Sequence, residues 1–223
     1  MSVCFIHVPR TAGTAVRRWA MNNIPDFVDL GPRSRIRSWA RIRHRFDPNA
    51  RMVGLGHIPA AWLIERGVFT REWYDSAWKF GCVRNTYERL VSFFEFLRSQ
   101  KFRRTRGHWS NRHLLMFDDF IRRNVTGVEE DGWPRFCCRQ LPFLADGVDC
   151  VLRFERLDED FMRVREKIGV DVPLGHRNKV RAWKDMRERL AGGDWRKYYT
   201  PELVDLVADF YADEIERFGF RFE

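Results

Sequence analysis

The chain has 223 residues, 44% hydrophobic and 15% aromatic, with nineteen Phe and nine Trp. That is ample material for a core and excludes a disordered chain, which cannot bury enough apolar area to offset its ordering entropy. Forty Lys plus Arg against thirty-one Asp plus Glu leave a net charge of +9, and with six Lys the other thirty-four cations are Arg. A planar guanidinium fork matches phosphate, sulfate or carboxylate, so the excess points either to an anionic ligand or to an Arg-rich solvated surface. Composition alone does not separate nucleic acid, membrane surface, nucleotide and acidic glycan.

In chain order, residues 3–8 form a short apolar run that stops at Pro9 and reads as a strand. It has neither the basic start nor the small-residue cleavage site of a signal peptide. No other stretch approaches the roughly 18 apolar residues that span a bilayer, so the expectation is a cytoplasmic protein with no transmembrane segment. Residues 14–21 read as the first helix, 51–55 as a weaker strand and 78–83 as a core strand. Residues 87–97 place Leu90, Val91, Phe94 and Leu97 on one helical face. Residues 150–154 read as another strand and 157–168 as the helix after it. Thr200-Pro201 reads as the N-cap and first residue of a final helix running to Phe218-Gly219. Strand alternating with helix implies a central parallel sheet with helices on both faces, an α/β fold in one domain over 1–223.

Two Arg-rich stretches, at about 31–51 and 98–112, read as insertions. They are either solvated basic loops or a wall for an acidic acceptor. Cys4, Cys82 and Cys150 sit in apolar runs as buried thiols, and the adjacent Cys137 and Cys138 lack metal-ligand spacing. No metal is expected.

Three loops carry candidate chemistry. Between the first strand and helix, Arg10-Thr11-Ala12-Gly13-Thr14-Ala15 offers a cation, two hydroxyls and a glycine at a helix N-terminus, a setting for a bound anion or for a capped structural turn. It is not a Walker loop, since GxxxxGK[ST] is absent. After residues 78–83, Arg84 ends a core strand beside Asn85, a natural N-cap, with Ser92 further along the helix. Ligands of open parallel sheets bind at the strands' carboxyl ends, where Arg10 and Arg84 are both expected. The competing reading of Arg84 is a salt bridge to Glu88. Gly54-Leu55-Gly56-His57 reaches the same end of the sheet after the weak strand, while His7 is read as a core residue inside the first strand.

Taken together, VPRTAGT after the first strand, CVRNTYERLVSFF, VLRFERLDEDF and YYTPELVDLVADFYADEIERFGF resemble, in that order, the stations of sulfotransferases that use 3′-phosphoadenosine 5′-phosphosulfate (PAPS). The resemblance is to the carbohydrate (heparan and chondroitin) branch and its bacterial relatives, and it implies a P-loop-like three-layer sandwich. It implies that residues 10–15 cradle the 5′-phosphosulfate, that Arg84 and Ser92 clasp the 3′-phosphate, and that His57 is the catalytic base, with His108 and His113 as alternatives. It also implies transfer to an acceptor hydroxyl, on a carbohydrate or acidic glycan, with adenosine 3′,5′-bisphosphate as product and no nucleic-acid partner. Gly192-Gly193-Asp194-Trp195 faintly resembles a C-terminal nucleotide-contacting segment of the cytosolic branch. The chain departs from the family at Arg10, where lysine is usual, and at Asn85-Thr86, where Asp-Pro is common. The rival readings are a nucleotide-dependent kinase and a protein that binds nucleic acid or another polyanion through charge.

Overall fold

In the computed structural model, which describes residues 1–30, 42–98, 116–125, 139–175 and 194–223, Val3–Ile6 forms strand β1 and Gly13–Asn23 helix α1. There follow β2 (Phe27–Asp29), β3 (Met52–Gly54), α2 (Ala60–Glu65), α3 (Arg71–Ser76) and β4 (Trp78–Val83). Next come α4 (Thr86–Arg98), α5 (Phe117–Val125), α6 (Leu141–Leu144), β5 (Cys150–Arg153) and α7 (Leu157–Ile168). The chain ends with α8 (Pro201–Phe210) and α9 (Ala212–Phe218). The chain divides into two compact units, Met1–Val83 with Gln140–Asn178 and Arg84–Arg139 with Lys179–Glu223.

The first unit holds a five-stranded sheet in the order β2-β3-β1-β4-β5, every pairing parallel. Buried on both faces, its inner strands read as continuous apolar runs without alternation. On one face Val3, Phe5, Met52, Phe80, Cys82 and Leu152 pack against Val16, Trp19 and Ala20 of α1 and Phe161, Val164 and Ile168 of α7. Trp19 meets Phe161 edge-on at 4.9 Å between centroids, an arrangement that suits the ring quadrupoles. On the other face Leu144 of α6 lies so close to Gly81 that a Cβ there would sit 3.0 Å from its Cδ2. The arrangement is α/β, with the sheet flanked by helices in the manner of a three-layer sandwich. Cys4, Cys82 and Cys150 are buried free thiols.

The second unit is helical, with a core of Tyr87, Leu90, Phe94, Phe117, Phe120, Leu203, Val207 and Tyr211. Inside it Thr86 Oγ1 donates to Glu214 Oε1 at 2.6 Å, and the fully buried Arg89 lies 3.9 Å from the same oxygen. A buried carboxylate needs such partners, since leaving it uncompensated costs several kcal/mol. Thr200 caps α8 as expected, its Oγ1 accepting from Leu203 N. The final helix is broken, however. The chain turns at Tyr211 (φ −106°, ψ 21°), whose ring is fully buried, and α9 starts anew.

Three further features differ from the sequence expectations. β2 has no counterpart among the predicted strands, being three half-buried residues long with no period to detect. β1 stops at Ile6, so His7 follows the strand rather than lying inside it. The 31–51 stretch is described only from Ile42, and 99–112, His108, His113 and Cys137-Cys138 lie outside the described residues. No helix among the described residues is long and apolar enough to cross a membrane.

Candidate functional site

The β1–α1 and β3–α2 loops lie side by side because their strands do, with Phe5 in register with Gly54. Each loop is bent into left-handed backbone. Among the described residues the only non-glycine positions with positive φ are Arg10 (68°), Ala12 (74°) and His57 (68°), all in these two loops. Such residues cost of order 1–3 kcal/mol each and gather where function demands a fixed geometry.

In the first loop Val8 N–H donates to Ile6 O at 3.2 Å, closing a tight turn about His7, and Thr11 Oγ1 donates to Val8 O at 2.9 Å. Ala12 stands at the N-cap of α1 without a side-chain cap, and the first turn carries no acid. Ala15 and Val16 N–H both donate to Ala12 O, at 2.8 and 3.3 Å. The N–H groups of Gly13 and Thr14 donate to no acceptor among the described residues. The positive end of the α1 dipole thus has neither a side-chain cap nor a first-turn carboxylate, and the left-handed Ala12 beside helical Gly13 forms a backbone concavity of the kind that holds anions. Thr14 is exposed, Ala15 and Arg10 are partly so, and Thr11 is buried. Gly13 serves another purpose than close approach to a ligand, because a Cβ on it would collide with the His7 ring.

In the second loop Ile58 N–H donates to Leu55 O at 3.3 Å across Gly56 and His57, both left-handed, the pattern of a type I′ turn. Histidine, like Asn and Asp, is enriched in that conformation. His57 Nδ1 lies 3.2 Å from His7 O, and the two imidazoles meet at 3.9 Å between centroids. Burial is the main force pushing His57 down to about 4, and the Arg10 cation adds to it; the bond to His7 O and the Asp29 carboxylate oppose. His7 is held well below its ordinary range by burial, then by His57 and Arg17. Arg17 of α1 is ion-paired with Asp29 at the end of β2. Sequence reading missed His7, Arg17 and Asp29 as neighbours of His57. The signal for His7 was its place at the carboxyl end of a parallel strand; that for the Arg17–Asp29 pair is tertiary.

Two neutral imidazoles make stability depend on pH. In the unfolded chain both titrate near 6.5, so as pH falls below that value the unfolded state takes up protons first, and native stability is lost from about 6.5 downward, through about 4 for His57 and further for His7. Thermal melts from pH 7.5 to 4.5 should show the wild-type Tm dropping more steeply below pH 6.5 than that of the His7→Phe/His57→Gln variant. Each kcal/mol corresponds to roughly 2–4 °C in a chain of this size. Parallel curves would refute this.

In the second unit Arg84 directly follows β4. It is buried, and its guanidinium pairs with Glu88 at 2.7 Å, the salt bridge that its spacing allowed. Asn85 caps α4, its Oδ1 accepting from Tyr87 N–H at 3.0 Å, while its Nδ2 donates to Arg221 O. Ser92 is partly exposed on α4. Asp194 caps the short 3-10 helix Trp195–Tyr198. Among the described residues no cluster of three or more His, Cys, Asp or Glu is placed to hold a metal. Compared with known proteins, the chain matches no family model and no curated protein.

Proposed function

We propose that the protein is a sulfotransferase of P-loop-like fold that moves a sulfuryl group from PAPS to an acceptor hydroxyl, on a carbohydrate or glycan-like substrate. The observation that carries this reading is the concentration of left-handed backbone at Arg10, Ala12 and His57. It sets a cation, an uncapped helix N-terminus and a neutral imidazole into two adjoining loops of one unit. The four stations of the motif resemblance supply the substrate class.

The chemistry asks the protein mainly for position and charge, as in phosphoryl transfer. His57 Nε2 takes the hydroxyl proton as the acceptor oxygen bonds to sulfur. The bond from sulfur to the bridging phosphate oxygen breaks, and the N–H groups of Gly13 and Thr14 with Arg10 stabilise the charge left on phosphate. The resemblance gives the 3′-phosphate to Arg84 and Ser92. Arg84 would then exchange or share its Glu88 partner on binding.

Thermal shift tests the reading. Adenosine 3′,5′-bisphosphate at about 100 times its Kd should stabilise by about 2.7 kcal/mol, or roughly 5–10 °C, with ADP giving far less. The preference should shrink in Arg84→Ala. Equal shifts with both nucleotides would refute it.

A further inference from the structure

His57 is held by one residue in two ways. Its Nδ1 sits 3.2 Å from the His7 carbonyl oxygen, and its ring lies against the His7 ring. A carbonyl oxygen only accepts, so Nδ1 must carry the proton, which in a neutral imidazole leaves the lone pair on Nε2. The His7 carbonyl is itself aimed by the turn that Val8 N–H closes on Ile6 O. The His7 ring is seated where a Cβ of residue 13 would otherwise stand, at the first residue of α1. The same ring stacks on Phe5 at 5.3 Å between centroids. One side chain therefore bridges the anion-facing helix end and the imidazole of the neighbouring loop.

We infer that His7 is a positioning residue for His57: its carbonyl holds the Nδ1–H tautomer, and its ring, seated on Gly13, keeps the imidazole turned so that Nε2 is the nitrogen offered to a substrate hydroxyl. The inference rests on His57 being the base in the proposed transfer, but the tautomer and its dependence on His7 are properties of the protein without substrate. The charged groups around the pair are Arg10 and Arg17 from the first loop and α1, and Asp29 from β2, which Arg17 neutralises. Arg10 and Arg17 can only donate, and the acceptor within hydrogen-bond distance of Nδ1 is the His7 carbonyl, which sets the tautomer.

The test combines imidazole nitrogen NMR with kinetics on full-length wild type, His7→Leu and His7→Phe. Both variants fill the space of the ring, and Phe keeps its planar face. In wild type the His57 spectrum should show a protonated Nδ1 and a bare Nε2 at pH 7. His7→Leu keeps the main-chain carbonyl but loses the ring that holds the imidazole against it, so the two tautomers should mix and kcat should fall on the order of 10- to 100-fold, the cost of misplacing a catalytic group by about an ångström. KM for PAPS should stay within about twofold. His7→Phe should restore both the wild-type spectrum and most of kcat. A wild-type His57 protonated on Nε2 overturns the inference without any variant, and so does a His7→Leu protein that keeps both spectrum and kcat. If wild type transfers no sulfuryl group from PAPS to any acceptor, the proposed function fails while the spectra still decide the tautomer and the effect of His7 on it.

Discussion

Replacing His57 by Asn is expected to lower kcat for sulfuryl transfer by about 10²- to 10⁴-fold, the range that a positioned general base contributes. Asn is the right substitute because it tolerates the left-handed backbone of residue 57 and has no basic nitrogen. His57→Ala removes the base too, but it adds strain in the Leu55–Ile58 turn. Binding of adenosine 3′,5′-bisphosphate should change by no more than about twofold, because the N–H groups proposed to hold its 5′ end belong to the other loop and to α1. Calorimetry of the bisphosphate beside a kcat measurement separates the two effects. A His57→Asn enzyme within tenfold of wild type would mean that another group takes the proton.

Arg10→Ala should do something His57→Asn does not. Removing a cation that stabilises developing charge on the leaving phosphate is expected to cost on the order of 10²- to 10³-fold in kcat, and affinity for the bisphosphate should fall with it. Arg10 also disfavours the imidazolium at residue 57, so its loss should raise the His57 titration above about 4, while burial, the main cause of the shift, still holds it below the ordinary imidazole value. A bound anion should act in the same direction by neutralising Arg10. In wild type, then, the base would strengthen when the proposed donor binds. Proton NMR of His57 with and without bisphosphate reads this directly. Arg10→Lys, which keeps the charge, should retain the low titration. A His57 titration unmoved both by Arg10→Ala and by ligand would break the link between the cation and the base.

Much of the fold was legible because its signals are local. Residues 78–83 and 157–168 match β4 and α7 to the residue, the one an apolar run broken by Lys79 alone and the other closed by Gly169 in left-handed conformation. What escaped was set by tertiary contact. The break at Tyr211 is silent in the sequence because Leu203, Val207 and Tyr211 keep helical spacing through it. Gly13 looks like a ligand-facing glycine until the His7 ring is seen against its Cα. Asn85 was identifiable as a cap from its type and place, while Arg84 had two roles open and its pairing with Glu88 fills one of them.

The central place of β1 has a consequence for the order of assembly. Its two neighbours come much later in the chain, Met52–Gly54 on one side and Trp78–Val83 on the other. Parallel pairing across such separations makes for slow folding, because long loops must close before any hydrogen bond rewards them. β1 therefore keeps one edge open until Met52–Gly54 has been made and the other until Trp78–Val83 has. The loop bearing Arg10 cannot meet the one bearing His57 before β3 has paired with β1, so the proposed site forms only after that long loop has closed. Over that interval the open edges of β1 are the stretch most exposed to wrong pairing with another chain.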